Sequence, residues 1–252
     1  MTESKPRRRT PVTLTFTEPA NCSLDLRLRI LSRLPFFKGL SEQDLHGINQ
    51  RCIELGFEPG QYIYHEGDPA EHLYVVAEGK VRLLRHTFGG RDVLLDMLTT
   101  GDFFGNLASQ GTATHTDTAH ALTQACILSI NTQTFSQILD EHPKLARKTL
   151  EIMAGRLNDA NQRLLQLSAL PAEQRITSAL LKLANKLGKR KGALTLIDAP
   201  LSRSDLAEMA GTTPETVSRT LSQLSAAGLI ESGRQWVAIE DLKALEDFTN
   251  AQ

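Results

Sequence analysis

Three polar residues on one predicted helix, Glu215, Ser218 and Arg219, are the side chains of this sequence whose types and spacing could do chemistry together. Apolar residues recur at helical spacing between them and predict a buried opposite face: Val217, Leu221 and Leu224. The polar face offers a carboxylate acceptor, a hydroxyl and the donor fork of a guanidinium. These groups bond base edges in the major groove of DNA, so the stretch TTPETVSRTLSQL predicts a DNA-reading helix.

The flanking residues define how this helix begins and what precedes it. Thr213 predicts an N-cap, and Pro214 suits the first helical position. An earlier helix is predicted from Ser202, with Asp205 three residues on in a weak form of the capping box. Gly211 opens the turn between the two helices. Helix, glycine turn and capped polar-faced helix together predict a helix-turn-helix.

Further DNA contacts are expected near this pair of helices. Arg203 on the first helix, and Thr213 and Thr216 at the start of the second, complete the predicted DNA-binding set. The following stretch, AAGLIESGRQWVAIED, predicts two strands with a turn at Ser232-Gly233, which together would form the wing of a winged helix. The basic stretch GKRKG is expected to be a flexible loop near phosphate.

Charge balance does not itself indicate DNA binding. The chain of 252 residues has a formal net charge of −1, and the segment from Pro171 onward is neutral, whereas DNA-binding domains are usually basic. A helical hairpin with polar outer residues would have the same pattern. The positive charge is local instead, at Arg203 and Arg219 and in the run before them.

Composition indicates a soluble, cytoplasmic protein. No apolar run approaches the roughly 18 residues of a membrane span, and the basic N-terminus lacks the apolar core of a signal peptide. Residues 1–23 are expected to be a disordered tail. Three cysteines without a CxxC pair argue against a disulfide scaffold. No Ser-His-Asp motif, phosphate loop or zinc spacing is found, so we expect neither an enzyme nor a metal site.

The N-terminal part of the chain, residues 24–143, predicts a small β domain with flanking helices. Helices are expected at 24–34 and from Ser41, and a helical turn at 134–139. Between Ile53 and Ile130, short alternating segments separated by glycines predict an antiparallel sandwich or barrel.

A long helix, residues 144–170, follows, and Pro171 then begins a C-terminal domain at 171–252. The apolar positions of the helix alternate at spacings of four and three, which predicts a coiled-coil seam. The residues expected to hold two subunits together are Leu150, Met153, Leu157, Ala160, Leu164 and Leu167. The alternative is that this face packs on the chain's own β domain.

Two motifs carry a resemblance to a known family. The stretch LSRSDLAEMAGTTPETVSRTLSQLSAAGLIESG resembles the helix-turn-helix of the CRP/FNR family of bacterial transcription regulators, and its ETVSR core is closest to the FNR branch. PGQYIYHEGDPAEHLYVVAEGKVRLLR and GDFFGN resemble the family's cyclic-nucleotide-binding β-roll. The resemblance covers nearly everything from Leu31 to the C-terminus.

The resemblance implies an α+β architecture: an N-terminal β-roll sensor, a long dimerisation helix and a C-terminal winged helix-turn-helix. It also implies a homodimer that binds double-stranded DNA at a TTGAT-N4-ATCAA-like palindrome and acts on RNA polymerase, with activation or repression left open. A different class of function stays open as well, a small-molecule-binding module that acts through protein contacts.

The effector is not named by the sequence, but cyclic AMP is not expected. Members of the family that bind cyclic AMP use a Glu after the turn glycine and an Arg-Ser pair further on. This chain has Asn106 at the first position and no Arg or Lys between residues 109 and 122. Burying a phosphate without a cationic partner is costly.

Redox and haem chemistry stay open. FNR carries an iron–sulfur cluster on four cysteines, and Cys126 lies where its β-roll cysteine does, but the three thiols of this chain cannot supply four ligands. Cys22 is expected to be exposed and is a candidate redox thiol with Cys126, whereas Cys52 and Cys126 also fit small core positions. Five histidines of the β domain keep haem open as a cofactor: His65, His72, His86, His115 and His120.

Overall fold

The computed structural model describes residues 22–87, 92–106 and 114–250. Residues 1–21 of the predicted tail 1–23 lie outside this part, and its last two residues belong to the fold, since Cys22 is buried and Ser23 caps the first helix. The chain divides into two units, one of the described residues up to Leu165 and one from Gln166 onward. The division falls near the end of the long helix rather than at Pro171. No helix among the described residues is long and apolar enough to cross a membrane.

The first unit begins with two helices and continues into eight strands. The helices are α1 (Leu24–Arg33) and α2 (Glu42–Gln50). Ser41 caps α2 in a capping box with Asp44, as its position before an acidic first turn predicts. The strands are β1 (Ile53–Phe57), β2 (Tyr62–Tyr64), β3 (His72–Glu78), β4 (Lys80–His86), β5 (Asp92–Thr99), β6 (Phe103–Gly105), β7 (Thr118–Ala121) and β8 (Ala125–Asn131).

These strands form two four-stranded antiparallel sheets, ordered β1-β8-β3-β6 and β2-β7-β4-β5. One apolar core is built by strands of both sheets and includes Val76, Val81 and Phe104. A second core joins the first sheet to the flanking helices and is centred on Phe36 and Phe135. The predicted β domain with flanking helices is confirmed, and its two buried cores hold the roll together.

Two helices follow the strands. Residues 132–141 form a full helix, α3 (Thr132–Glu141), where the sequence predicted only a helical turn, because Asn131 caps it and Phe135 and Ile138 are buried. The long helix is α4 (Pro143–Ala169). Leu145 and Thr149 are its buried residues, and both lie in the first two turns of the helix.

The second unit contains the last turn of α4, four more helices and four strands. They are α5 (Ala172–Leu187), β9 (Gly188–Lys191), β10 (Leu194–Ile197), α6 (Arg203–Ala210), α7 (Pro214–Ala226), β11 (Ile230–Gly233), β12 (Trp236–Ile239) and α8 (Leu242–Asn250). The strands form one antiparallel sheet in the order β11-β12-β10-β9. This is the predicted winged helix-turn-helix, with β10 and α8 as elements that the sequence pattern did not predict.

The stretch GKRKG is not a flexible loop, and this expectation was wrong. Gly188 to Lys191 pair with β10 in register Leu194↔Lys191 to Ile197↔Gly188, and Gly192 makes the turn with φ of 62°. All four residues of β9 are exposed. An edge strand can be polar and exposed because ladder hydrogen bonds hold it to the sheet. Here the Lys189 ammonium also lies 2.7 Å from the carboxylate of Asp198, the residue after β10.

Candidate nucleic-acid interface

Local capping interactions determine where the two helices of the helix-turn-helix, α6 and α7, begin and end. We call this pair of helices the reader. The Ser202 hydroxyl accepts from the backbone N–H of Asp205, and the Asp205 carboxylate accepts from the backbone N–H of Ser202 at 2.7 Å. α6 then ends at Gly211, whose left-handed backbone (φ 59°) allows the chain to reverse direction. The capping box and the glycine turn are both as the sequence predicts.

α7 begins where the sequence predicts and buries the predicted face. The Thr213 hydroxyl accepts from the backbone N–H of Thr216 at 3.3 Å, and Pro214 occupies the first helical position. The buried residues of the helix are Val217, Thr220, Leu221 and Leu224. These contacts fix the rotation of α7, so that its polar face is turned away from the core.

The predicted reading residues, Glu215, Ser218 and Arg219, are all exposed on that polar face. The Arg219 side chain is 65% exposed, and its guanidinium lies 4.0 Å from the Glu173 carboxylate, at the outer limit of an ion pair. Hydrogen bonds from the Glu215 backbone N–H and the Thr213 hydroxyl hold the pKa of the Glu215 carboxyl below its usual range. Glu215 is therefore an ionised acceptor at neutral pH, beside a cationic donor.

The other candidate contacts are less available. Thr216 is half-buried, and its hydroxyl lies 3.2 Å from that of Thr213. Arg203 is also half-buried, and its guanidinium donates to the Gly233 carbonyl at 3.2 Å and lies 3.4 Å from the Ser232 hydroxyl. Burial lowers the pKa of this guanidinium. In the structure, Arg203 ties the start of α6 to the wing.

The wing differs from its predicted form by the position of its turn. Ser232 and Gly233 belong to β11, and the turn is Arg234-Gln235, because Gly233 pairs with Trp236. A Cβ at position 233 would overlap the Trp236 indole, so this strand residue must be glycine for the ring to lie against it. Gln235 takes the positive φ of the turn, 62°, which the sequence pattern assigned to glycine.

One residue that bonds the reader was missed by the sequence analysis. The Arg175 guanidinium, in the first turn of α5, donates to three backbone carbonyls: Leu170 at 2.8 Å, Ala210 at 2.7 Å and Gly211 at 3.1 Å. Its partners are 5, 35 and 36 residues away in sequence. No periodicity or motif marks it, because its partners are backbone atoms that only the fold brings together.

α4 has two unlike faces. Ile152 and Met153 pack against the second apolar core of the roll, the Arg156 guanidinium donates to the Phe103 carbonyl at 2.7 Å, and that of Arg163 to the Leu95 carbonyl at 2.7 Å. The other face carries the remaining predicted seam residues, and its large apolar side chains are strongly exposed: Leu150 70%, Leu157 64%, Leu164 64% and Leu167 50%. Ala160 is exposed with them, whereas Met153 lies partly on the chain's own roll.

The candidate redox residues lie together, in an arrangement that the sequence did not predict. Cys22 and Cys126 are joined by a disulfide with a Cα–Cα distance of 6.2 Å, and both are buried. The expectation that Cys22 is exposed was wrong, because the residue lies in the core between the flanking helices and the first sheet. Of the three cysteines only Cys52 is free, and burial raises the pKa of its thiol to about 11.

The interior of the roll is occupied by aromatic side chains. The His115 ring stacks on that of Tyr64 with centroids 3.5 Å apart, and the Tyr64 hydroxyl donates to Asp117 at 2.7 Å. His115 is buried, and desolvation lowers its pKa.

The other histidines considered for haem make separate contacts, and the His72 ring lies 6.0 Å from that of Tyr74. His65 and His120 flank the Tyr62 ring, His86 lies 2.6 Å from Asp92, and His72 is in β3. Within residues 22–87, 92–106 and 114–250, no three His, Cys, Asp or Glu side chains are grouped as a metal site.

Asn106, the residue after Gly105, uses its side chain inside the roll. Its amide donates to the Ala70 carbonyl at 2.8 Å, and its backbone N–H donates to the His72 carbonyl. Residues 107–113, part of the stretch without Arg or Lys, lie outside the described residues. Asn106 therefore stabilises the fold of the roll through these two hydrogen bonds.

Two family models match the chain. The cyclic nucleotide-binding domain matches residues 54–142, which is most of the roll. The Crp-like helix-turn-helix domain matches residues 174–248, which runs from α5 into α8. The boundaries of both matches fall within the two units seen in the structure.

Relatives match almost over their full length. The chain is 30% identical over 214 residues to the cyclic AMP receptor protein of Thermus thermophilus, covering 85% of this chain and 96% of that protein. It is 30% identical over 215 residues to the probable transcriptional regulator flp of Lacticaseibacillus casei, covering 85% and 95%. The solved structure of FixK2 from Bradyrhizobium japonicum is similar with a TM-score of 0.68 and 27% identity, over 78% of this chain and 96% of that one.

Proposed function

We propose that this chain, which belongs to the CRP/FNR family of transcription regulators, binds a TTGAT-N4-ATCAA-like palindrome as a homodimer under redox control. As a member of that family it is a DNA-binding regulator and not an enzyme. The operator sequence, the dimer, the contact with RNA polymerase and the signal are the parts that we propose.

The proposed operator sequence is supported by three exposed residues of α7, Glu215, Ser218 and Arg219. Arg219 has the planar donor fork that binds the O6 and N7 of guanine, and the ionised Glu215 accepts from the N4 amine of cytosine. Ser218 lies between them and contacts the neighbouring thymine or adenine. Thr213, at the N-terminus of α7, is exposed beside them and completes the proposed contact set.

The homodimer is supported by the exposed apolar face of α4. Leu150, Leu157 and Leu164 repeat every seven residues and are each at least 64% exposed. A contiguous apolar stripe of this kind indicates a protein interface, and a heptad repeat favours a second copy of the same helix. Two reading helices about 34 Å apart then match the two half-sites of a palindrome.

The redox signal is supported by the Cys22–Cys126 disulfide. It ties the start of the described chain to β8, across a sequence separation of 104 residues. Its oxidation from two thiols releases two protons and two electrons to a peroxide or a small-molecule disulfide, and reduction by a dithiol reverses it. Reduction therefore removes the covalent link between Cys22 and β8. A change of this kind between two states would alter the roll and, through it, the dimer.

Cyclic AMP is not the proposed signal. Asn106 replaces the expected carboxylate and is engaged with Ala70, and the sequence from residue 109 to residue 122 has no cation to meet the phosphate.

The experiment is a fluorescence-anisotropy titration of the chain on a labelled TTGAT-N4-ATCAA duplex and on a duplex of the same composition with scrambled half-sites. It is run at one fixed salt concentration with oxidised and with reduced protein. We expect affinity for the palindrome at least about 10³-fold tighter than for the scrambled duplex in one redox state. Equal affinities for both duplexes in both states would contradict the proposed operator.

A further inference from the structure

The first turn of α5 holds a side chain that bonds two separate parts of the second unit. The Arg175 guanidinium donates from Nη1 to the Leu170 carbonyl, from Nε to the Ala210 carbonyl and from Nη2 to the Gly211 carbonyl, all within 3.1 Å. Leu170 follows the last turn of α4, and Ala210 and Gly211 end α6. One residue therefore bonds the end of the long helix and the turn of the helix-turn-helix at the same time.

These carbonyls are the groups that a helix leaves without intrahelical partners. The last carbonyls of a helix have no N–H to accept from, and they carry the negative end of the helix dipole. A guanidinium supplies several donors in a fixed plane and a positive charge, which a lysine ammonium cannot reproduce as a rigid fork. Arg175 therefore satisfies two helix ends in one geometry.

The contact is reinforced by packing at the same turn. A Cβ built on Gly211 would lie 3.1 Å from Leu167 Cδ2, so the turn lies directly against the last turn of α4. Pro214, the first residue of α7, is three residues beyond Gly211. Fixing Gly211 therefore fixes the point from which the reading helix starts.

We propose that Arg175 is a positioning residue for DNA recognition, which clamps the helix-turn-helix to the last turn of α4 and so sets the separation of the two reading helices in the dimer. This inference rests on the proposed homodimer and its palindromic operator. Arg175 makes no base contact in this account. It determines which half-site spacing the two copies of Arg219 can reach together.

The test compares wild type with Arg175→Lys, which keeps the charge but not the fork. Each protein is titrated on three duplexes, the N4 palindrome and the same half-sites separated by one base pair fewer or one more. We expect wild type to prefer the N4 spacing strongly and Arg175→Lys to lose about tenfold of that preference, the effect of one charge-assisted hydrogen bond. Affinity for the scrambled duplex should not change.

Arg163→Lys is the matched control, because its guanidinium also donates to a backbone carbonyl, that of Leu95, but in the first unit. It should keep the wild-type spacing preference. Sedimentation and thermal melting establish that each variant is a folded dimer. Arg175→Gln, which keeps an uncharged donor, serves as a second variant if the lysine variant does not fold.

The outcomes separate this inference from the proposed function. If wild type does not prefer the palindrome to the scrambled duplex, the proposed operator is wrong. If wild type prefers the N4 spacing and a folded, dimeric Arg175 variant prefers it equally, Arg175 is not a positioning residue. If the variant loses affinity for all duplexes equally, including the scrambled one, its role is in stability alone and the inference is overturned.

Discussion

The helix-turn-helix and the β-roll differ in where the residues that we propose to act in them lie. In the reader, Glu215, Ser218 and Arg219 are exposed and close in sequence on one helix. In the β-roll, the Cys22–Cys126 pair is buried and spans 104 residues, and the part-buried Tyr64–Asp117 contact spans 53. A group that meets DNA must be exposed, whereas a group that holds or changes the state of a domain acts from inside it.

This difference decides what sequence can establish. Helical spacing specifies which side chains share a face, so a surface reader can be recognised from a short segment. A buried pair depends on strand order and register, which local patterns do not specify. The shared exposed face of Glu215, Ser218 and Arg219 was therefore predictable from the sequence, and the disulfide was not.

The largest expected effect comes from α4, which both units share. Leu157→Asp should place two like charges in an apolar interface, at a cost of several kcal/mol. The variant should sediment as a folded monomer and lose operator binding, although no DNA contact is changed. Asn158→Asp adds the same charge at the adjacent exposed position outside the predicted seam, and it should stay dimeric. A Leu157→Asp dimer with normal binding would place the interface elsewhere.

The second effect tests whether the β-roll is stabilised by its disulfide. Cys22→Ser should lower the free energy of unfolding of the oxidised protein by about 2–4 kcal/mol, and the difference should nearly vanish under reducing conditions. Urea denaturation in both conditions measures it. Cys52→Ser is the control, since Cys52 is free. In denaturant, thiol titration should count one thiol in oxidised wild type and three after reduction. Three thiols in the oxidised protein would mean that the bond does not form.

Removing the N-cap of α7 should destabilise the protein less than the loss of the disulfide does, and only at this helix. Thr213→Ala should destabilise α7 by about 1 kcal/mol, because the backbone N–H of Thr216 loses its acceptor. Operator affinity should fall, and Thr213→Ser should restore most of it. Affinity measured by anisotropy and melting measured by circular dichroism give the two readouts. If Thr213→Ser fails to restore binding, the threonine methyl rather than the cap is what matters.

The smallest effect concerns the Glu173–Arg219 pair. The two side chains are 44% and 65% exposed and 4.0 Å apart, so their interaction should be worth less than about 1 kcal/mol. Glu173→Gln should leave stability unchanged and raise operator affinity by no more than a few-fold, because an acidic neighbour of the DNA is removed. A large loss of affinity would instead show that Glu173 orients Arg219.

Particular residues show where prediction from the sequence succeeded and where it stopped. The capping box of Ser202 and Asp205, the N-cap Thr213 and the turn glycine Gly211 follow local rules, and the structure has all of them. The α4 stripe was also predictable, apart from Met153, because heptad spacing is local.

The features that were missed depend on long-range contacts. Arg175 donates to backbone carbonyls that are up to 36 residues away in sequence, and Cys22 is bonded to Cys126, 104 residues away. The wing turn was misplaced because Gly233 serves the Trp236 indole in a strand, while Gln235 takes the positive φ. The sequence of β9 predicts a loop because only pairing with β10 makes it a strand.

The most direct test of the account is a cycle between Arg219 and the guanine of the TTGAT half-site. Wild type and Arg219→Ala are titrated on the palindrome and on a version in which the G·C pair of each half-site is replaced by A·T. Gln223→Ala, exposed further along α7, is the control.

We expect the Arg219→Ala substitution alone, or the base change alone, to weaken binding by about 1–3 kcal/mol per half-site. For the Arg219→Ala protein, the base change should weaken binding little further. If Arg219→Ala still discriminates G·C from A·T as well as wild type does, α7 does not read the operator as described.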